Sequence, residues 1–264
     1  MRLPGLILGA WLVMALAGVM PWLEPNRVSL PEIFMPPSAA HWLGTDELGR
    51  PVLDRLLSGA GVSLLVALTT VVISAVIGIT VGLTAGYFGG LTDRVISRLI
   101  EVFLAFPGML LAIAMAAMIG PGIDNVIIAL ATMGWVGYAR LVRVQVLSLR
   151  QREHVLAAVA LGRTDFAIMQ RHLLPLVMAP VWVEASFGVA GAVVAEAGLS
   201  FLGLGIQPPD ASWGGMIRDG VRYLLVAPHL VLAPGVALFL VVLASNLFGD
   251  ALRDRLDVIS RSRP

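Results

Sequence analysis

Three carboxylates stand within or beside apolar stretches: Glu101, Glu184 and Glu196. An ionisable group in hydrocarbon is costly, so it is kept where it lines a polar path, relays a proton or satisfies a packed neighbour. Glu184 and Glu196 are 12 residues apart, about 18 Å along one helix, too far to work together as general acid and base. Glu101 lies close enough to a helix end for its side chain to reach water. Glu196 suits a translocation path and an interhelical hydrogen bond equally well. His41, His154, His172 and His229 show no metal-ligand spacing, and neither His-Glu-x-x-His nor Gly-x-Ser-x-Gly occurs. There is no Cys, and all 18 basic residues are Arg. Thiolate chemistry, Cys-ligated metals, lysine Schiff bases and an ordinary phosphate-binding P-loop are therefore excluded. No catalytic residue, cofactor or metal site is predicted, and a net charge of +1 argues against a nucleic-acid partner.

These groups sit in an unusually apolar chain. Of 264 residues, 58% are hydrophobic and 13% charged, more apolar surface than a soluble domain of this size hides. The prediction is an all-α polytopic membrane protein. A membrane-crossing helix needs about 20 apolar residues, and stretches at 5–22, 62–88, 99–120, 123–142, 174–204 and 224–248 supply six transmembrane helices. The chain divides into a first helix and outer loop (1–60), a core (61–250) holding a cytoplasmic loop at 143–173, and a tail (251–264). Arg2, the apolar run and Ala15-Leu16-Ala17 also have the outline of a cleavable signal peptide. Pro107, Pro180 and Pro234 predict kinks. Ser74, Gly78, Gly82 and Gly86 form a small-residue stripe, suited either to packing within the subunit or to a partner helix.

Arginine placement sets the orientation. With the N-terminus inside, 13 Arg fall in cytoplasmic segments and 5 in outer ones, a positive-inside bias that puts both termini in the cytoplasm. The outer segment 205–223, with Pro208-Pro209-Asp210 and Trp213, predicts an ordered re-entrant or interfacial loop.

Inside, the longest polar stretch is patterned. Glu153, Ala157 and Leu161 are spaced by four, as are Ala158 and Gly162, so they share one side of a short helix. Gly162 fits a helix-ending position, and Thr164 or Asp165 can cap a second helix running to Leu174, after which Pro175 opens the next span. By residues alone this helix-turn-helix either lies on the membrane surface or offers an apolar, small-residue face to another protein.

The pattern Glu153-x3-Ala157-Ala158-x3-Gly162, followed by Leu174-Pro175, resembles the EAA loop of permease subunits in binding-protein-dependent ABC importers; His172 stands where that family usually has Ile. His41-Trp42-Leu43-Gly44-Thr45-Asp46-Glu47-Leu48-Gly49-Arg50 resembles the first outer loop of the dipeptide/oligopeptide/nickel branch. Similar likenesses run through 195–205, Trp213-Gly214 and 246–254, so the resemblance covers nearly the whole chain. Pro51 stands where that branch usually has Asp, and Gly61 where it often has Arg.

The resemblance implies a type I importer permease fold in the inner (plasma) membrane. It also implies a second homologous permease, two ATP-binding subunits and an extracytoplasmic binding protein as partners, with ATP hydrolysed on the separate subunits. Glu153, Ala157, Ala158, Gly162, Leu174 and Pro175 would couple to the ATPase. The implied cargo is a di- or oligopeptide, with nickel or a nickel chelate as the alternative. A rival from another class is an ion-coupled secondary transporter relaying protons through Glu184 and Glu196.

Overall fold

Without water to satisfy backbone polar groups, a chain in hydrocarbon must close its hydrogen bonds within helices. The structure, a computed structural model, describes residues 2–261, with side chains as far as Leu256. Of the arginines used for orientation, Arg263 lies outside the described residues, as does the side chain of Arg261. Among the described residues there are ten α-helices and no strand, only a single bridge between Thr45 and Pro51.

Two long helices form the axis: α2 (Val52–Phe88) and α5 (Ile123–Leu149). The stripe Ser74, Gly78, Gly82 and Gly86 is their seam, so its partner lies within the subunit. A Cβ on Gly78 would stand 2.6 Å from the Trp135 carbonyl oxygen, and one on Gly82 would stand 2.6 Å from that of Ala139. At such spacing the two backbones touch directly, and dispersion between closely fitted helices replaces a hydrophobic drive that lipid cannot supply.

The apolar α1 (Arg2–Ala17) has 16 residues, about 24 Å, shorter than its predicted span of 5–22. Its buried Trp11 and Ala15 join the main core. Just after α1, a Cβ on Gly18 would stand 2.3 Å from the Leu57 carbonyl oxygen of α2, so glycine there permits the close approach, whereas a Cβ on Gly61 would make only ordinary contact with Ala15.

The third passage is broken. Helices α3 (Gly90–Leu104) and α4 (Gly108–Ile119) meet at 81°. Pro107 takes the extended backbone of the α4 N-cap and has no N–H to continue a helix. The 12 residues of α4 span about 18 Å, less than the bilayer core. Only Ile100 of α3 is buried, and the helix carries Asp93, Arg94, Arg98 and Glu101. The straight span expected at 99–120 is therefore an amphipathic segment followed by a short descent.

Beyond α5 lie the short helices α6 (Glu153–Ala160) and α7 (Asp165–Ile168). A π-helical turn, Met169–Leu173, joins α7 to α8 (Leu174–Phe201), so Asp165–Phe201 forms one continuous passage through Pro180. Because α5 runs to Leu149, the cytoplasmic loop expected from 143 starts only at 150. A short helix, α9 (Trp213–Val221), precedes α10 (His229–Arg261), which contains Pro234. Among the described residues four helices are long and apolar enough to cross a membrane, or five if the bent α3–α4 pair is counted as one span, against the six expected, because α1 is too short to meet that measure.

Candidate functional site

The end of the bundle that holds the 150–173 segment is built on a two-sided short helix. Val155 and Ala158 of α6, one turn apart, are buried in the cluster that holds Leu149, Ile168 and Leu173. Leu156, Val159 and Leu161 point away from it, Leu161 with 82% of its surface exposed, and Phe166 of α7 adds 69% exposure. Arg152, Arg163 and Arg171 are exposed around this face. An apolar patch with a basic rim, held on a rigid support, has the character of a surface that meets another protein or the membrane.

The turn between α6 and α7 is closed by local chemistry. Gly162 has φ +71, the left-handed conformation in which a Cβ is strained. Its N–H donates to the Val159 carbonyl at 2.9 Å, and that of Arg163 donates to Ala158 at 3.1 Å, the paired bonds of a Schellman ending. Thr164 then caps α7, its hydroxyl accepting from the Ala167 N–H at 3.4 Å.

Three polar ties fasten the surrounding end of the bundle. The Tyr87 hydroxyl donates to Asp165 at 2.7 Å. Arg150 donates to the Gly86 and Tyr87 carbonyls at 3.1 and 3.3 Å, filling acceptors that α2 leaves open at its C-terminus. Arg143 forks onto Asp93, linking α5 to α3. The Tyr87 bond ties α7 to α2, and the helix continuing from Asp165 to Phe201 joins α7 to α8.

The residues expected from spacing divide by environment. Glu153 and Ala157 are exposed on α6, and Gly162 is the exposed turn. Leu174 is half-buried, and Pro175 is exposed at the start of α8. Ala158 faces inward, an anchor away from the outer face. Sequence reasoning passed over Leu156, Val159 and Phe166; their signal was a set of large apolar residues in an otherwise polar segment. It also missed Tyr87 and Arg150, whose partners are distant in sequence.

The carboxylates have separate fates. Glu101 is exposed and pairs with Arg98 at 2.7 Å. Glu196 is fully buried; it accepts from Ser63 of α2 at 3.1 Å and from Ser200 at 2.8 Å. The Ser200 oxygen in turn accepts from the Ile206 N–H at 3.2 Å. This chain of bonds ties α2, α8 and the outer loop together. Ser63→Ala removes one partner from a buried acid, a loss of about 1–3 kcal/mol. A clearly lower unfolding temperature of the purified protein is expected, and an unchanged one would exclude the tie. Glu184 engages no hydrogen bond or ion pair among the described residues and lines a cavity.

At the opposite end of the bundle, Asp46 accepts from the N–H groups of Leu48 and Arg50 at 2.9 Å each and from Arg50 Nε at 2.7 Å. Arg55 approaches the same carboxylate at 3.6 Å. Burial pushes the Glu47 carboxyl above its ordinary range, the Asp46 charge adding to the shift, although Arg50 donates to it at 3.0 Å. Trp213 donates to the Leu56 carbonyl at 3.0 Å, locking α9 onto α2. The loop between α1 and α2 is thus a fixed platform. Among the described residues no group of three or more His, Cys, Asp or Glu could hold a metal ion.

Comparison with known proteins agrees with this architecture. The family model described as "Binding-protein-dependent transport system inner membrane component" matches residues 78–258. The chain is similar to the glutathione transport system permease protein GsiD of Pectobacterium atrosepticum, with 42% identity over 239 residues, covering 90% of this chain and 79% of that one. To GsiD of Shigella flexneri it is 47% identical over 221 residues, 84% of this chain and 73% of the relative. Among solved structures, an inward-facing MetNI methionine ABC transporter chain superposes with a TM-score of 0.62 at 20% identity, covering 78% of this chain and 97% of that one. The matches do not favour an ion-coupled secondary transporter.

Proposed function

The chain belongs to the family of binding-protein-dependent inner-membrane transport components, and from that premise we propose that it forms half of an ATP-driven uptake pathway for di- or oligopeptides, glutathione among them. It is a multi-pass inner-membrane permease of an ABC uptake system; it is not an enzyme. A second homologous permease completes the pathway, two ATP-binding subunits dock on the α6–α7 face, and an extracytoplasmic binding protein delivers cargo to the outer platform. Both termini lie in the cytoplasm. Closure of the ATPase pair moves α6–α7, and the continuous α7–α8 passage carries that movement to the membrane interior. The glutathione permeases among the relatives support a peptide-like cargo.

The observation that carries the coupling role is the α6–α7 face itself, anchored by Val155 and Ala158 and exposing Leu156, Leu161 and Phe166. Gly162→Asp tests it. A side chain there meets open space, so the change strains the backbone by about 1–2 kcal/mol and sets a carboxylate at a helix C-terminus. Mild-detergent purification of the tagged variant is expected to yield a normal amount of permease with about tenfold less ATPase subunit, a loss of 1.4 kcal/mol. Normal recovery of the ATPase subunits and normal ATP-dependent uptake would sink the assignment.

A further inference from the structure

Of the four histidines, two are engaged where the loop between α1 and α2 folds: His41 stands 3.6 Å from Glu32, and His229 stands 3.3 Å from the Thr45 carbonyl. The other two, His154 and His172, lie next to each other. Their ring centres are 6.5 Å apart and their planes are inclined by 34°, with no side-chain hydrogen bond or ion pair to either ring among the described residues.

Packing fixes the backbones from which these rings project. Val155 follows His154 on α6, Leu173 follows His172 on the π-helical turn, and both apolar side chains are buried in one cluster. His154 is exposed and His172 half-buried, so the pair is open to solvent. The turn that carries His172 bonds the Leu174 N–H to the Met169 carbonyl, five residues back. Such π-helical turns are rare and occur frequently at functional sites.

Two imidazoles without other partners are ready ligands for a first-row divalent ion, since ring nitrogens suit Zn²⁺, Ni²⁺ and Cu²⁺. With metal–nitrogen bonds of about 2.0–2.1 Å, two imidazoles on one ion hold their ring centres about 5–6.5 Å apart. The observed spacing is at the wide end of that range, and the exposed His154 side chain is free to turn inward. Water completes the coordination shell, so the ion comes and goes, unlike one in a closed four-ligand site. Arg152 and Arg171 oppose a cation and Glu153 favours it; all three are exposed, where salt screens their charge.

We propose that His154 and His172 form a two-histidine site for a divalent transition-metal ion. The bound ion clamps α6 to the helix that continues into α8 and thereby slows the ATPase cycle. The clamping role rests on the coupling reading above; the site itself does not.

Two measurements test it, with zinc as the probe. In the first, the permease is purified through a tag that contains no histidine, and zinc chloride is titrated in. An ion bound only by the folded state raises the unfolding temperature. A rise of about 4 °C is expected once zinc reaches about ten times its dissociation constant, reversed by EDTA. His154→Ala and His172→Ile should each lose the response. The first removes an exposed ring, so that variant should melt normally without zinc. A response that survives in either variant, or none in the unaltered permease, would overturn the site.

In the second, ATP hydrolysis by the complete transporter is followed with and without saturating zinc. A fall of about tenfold is expected in the unaltered transporter and of less than twofold in His154→Ala. Equal inhibition of both, or of neither, would overturn the clamp. A permease that recruits no ATPase would contradict the importer reading instead, and the melting shifts would then decide the site alone.

Discussion

Leu161→Glu is expected to leave the permease folded in the membrane and to cut its association with the ATPase subunits about 30-fold, with substrate-driven ATP hydrolysis falling in step. The size of the effect follows from where the side chain stands. At 82% exposure, Leu161 contributes little to the fold, and substitutions at such surface positions usually shift stability by under about 0.5 kcal/mol. In a docked complex the same leucine would be buried, worth about 1.5–3 kcal/mol. Glutamate loses that contribution and adds the desolvation of a charge. Val155→Glu provides the contrast: Val155 is buried in the permease core, so that change should lower the amount of folded protein itself. Quantitative co-purification, normalised to membrane level, separates the two. A Leu161→Glu permease that recruits ATPase normally would remove the face from the mechanism.

The second large effect is expected inside the bundle. Gly82→Leu should abolish most of the folded permease, with any remainder unfolding about 10 °C lower in detergent. A Cβ at Gly82 would stand 2.6 Å from the Ala139 carbonyl oxygen and 2.8 Å from Val142 Cβ. The first obstacle is backbone, which has no rotamer to escape into. Overpacking a well-filled interior costs about 1–3 kcal/mol. For a chain of this length each kcal/mol moves the midpoint by about 2–4 °C. Here the whole α2–α5 seam must part, so about 3 kcal/mol or more is expected. Gly90→Ala offers a control, since a Cβ there meets nothing within 4 Å, although its φ of +55 adds some backbone strain. Melting curves followed by size-exclusion of a fluorescent fusion would show the contrast, and a Gly82→Leu protein as stable as wild type would refute the seam.

Some of this was legible in the chain and some was not, for physical reasons. Run length and charge scarcity reveal membrane passages because the bilayer demands them locally; α5 begins where expected, at Ile123, and α8 includes all but the last few residues of its predicted span. The glycine stripe was visible as a periodicity, but its partner was not, since Tyr138, Ala139 and Val142 share no pattern with it. Pro107 signalled a kink, yet the angle of 81° depends on how α3 meets the membrane surface and α5. The α6–α7 turn was readable down to Gly162 and to a cap at Thr164 or Asp165, of which Thr164 serves, because both are short-range devices. Which face of α6 looks outward was not, because that is settled by Val155 and Ala158 meeting residues of α5, α7 and the π-helical turn. The Ser63–Glu196 bond joins positions 133 apart. Such constellations exist only once the helices have packed.

Docking of an ATPase on α6–α7 is tested most directly by photocrosslinking in intact membranes. A photoreactive amino acid at position 161, and another at position 166, should each give a covalent product with an ATP-binding subunit that shifts in yield when nucleotide is added. The same probe at Met118, an exposed position on α4, should give none. Lipid adducts alone at positions 161 and 166, in membranes that retain ATP-dependent uptake, would contradict the docking face and leave α6–α7 as a helix pair lying on the bilayer.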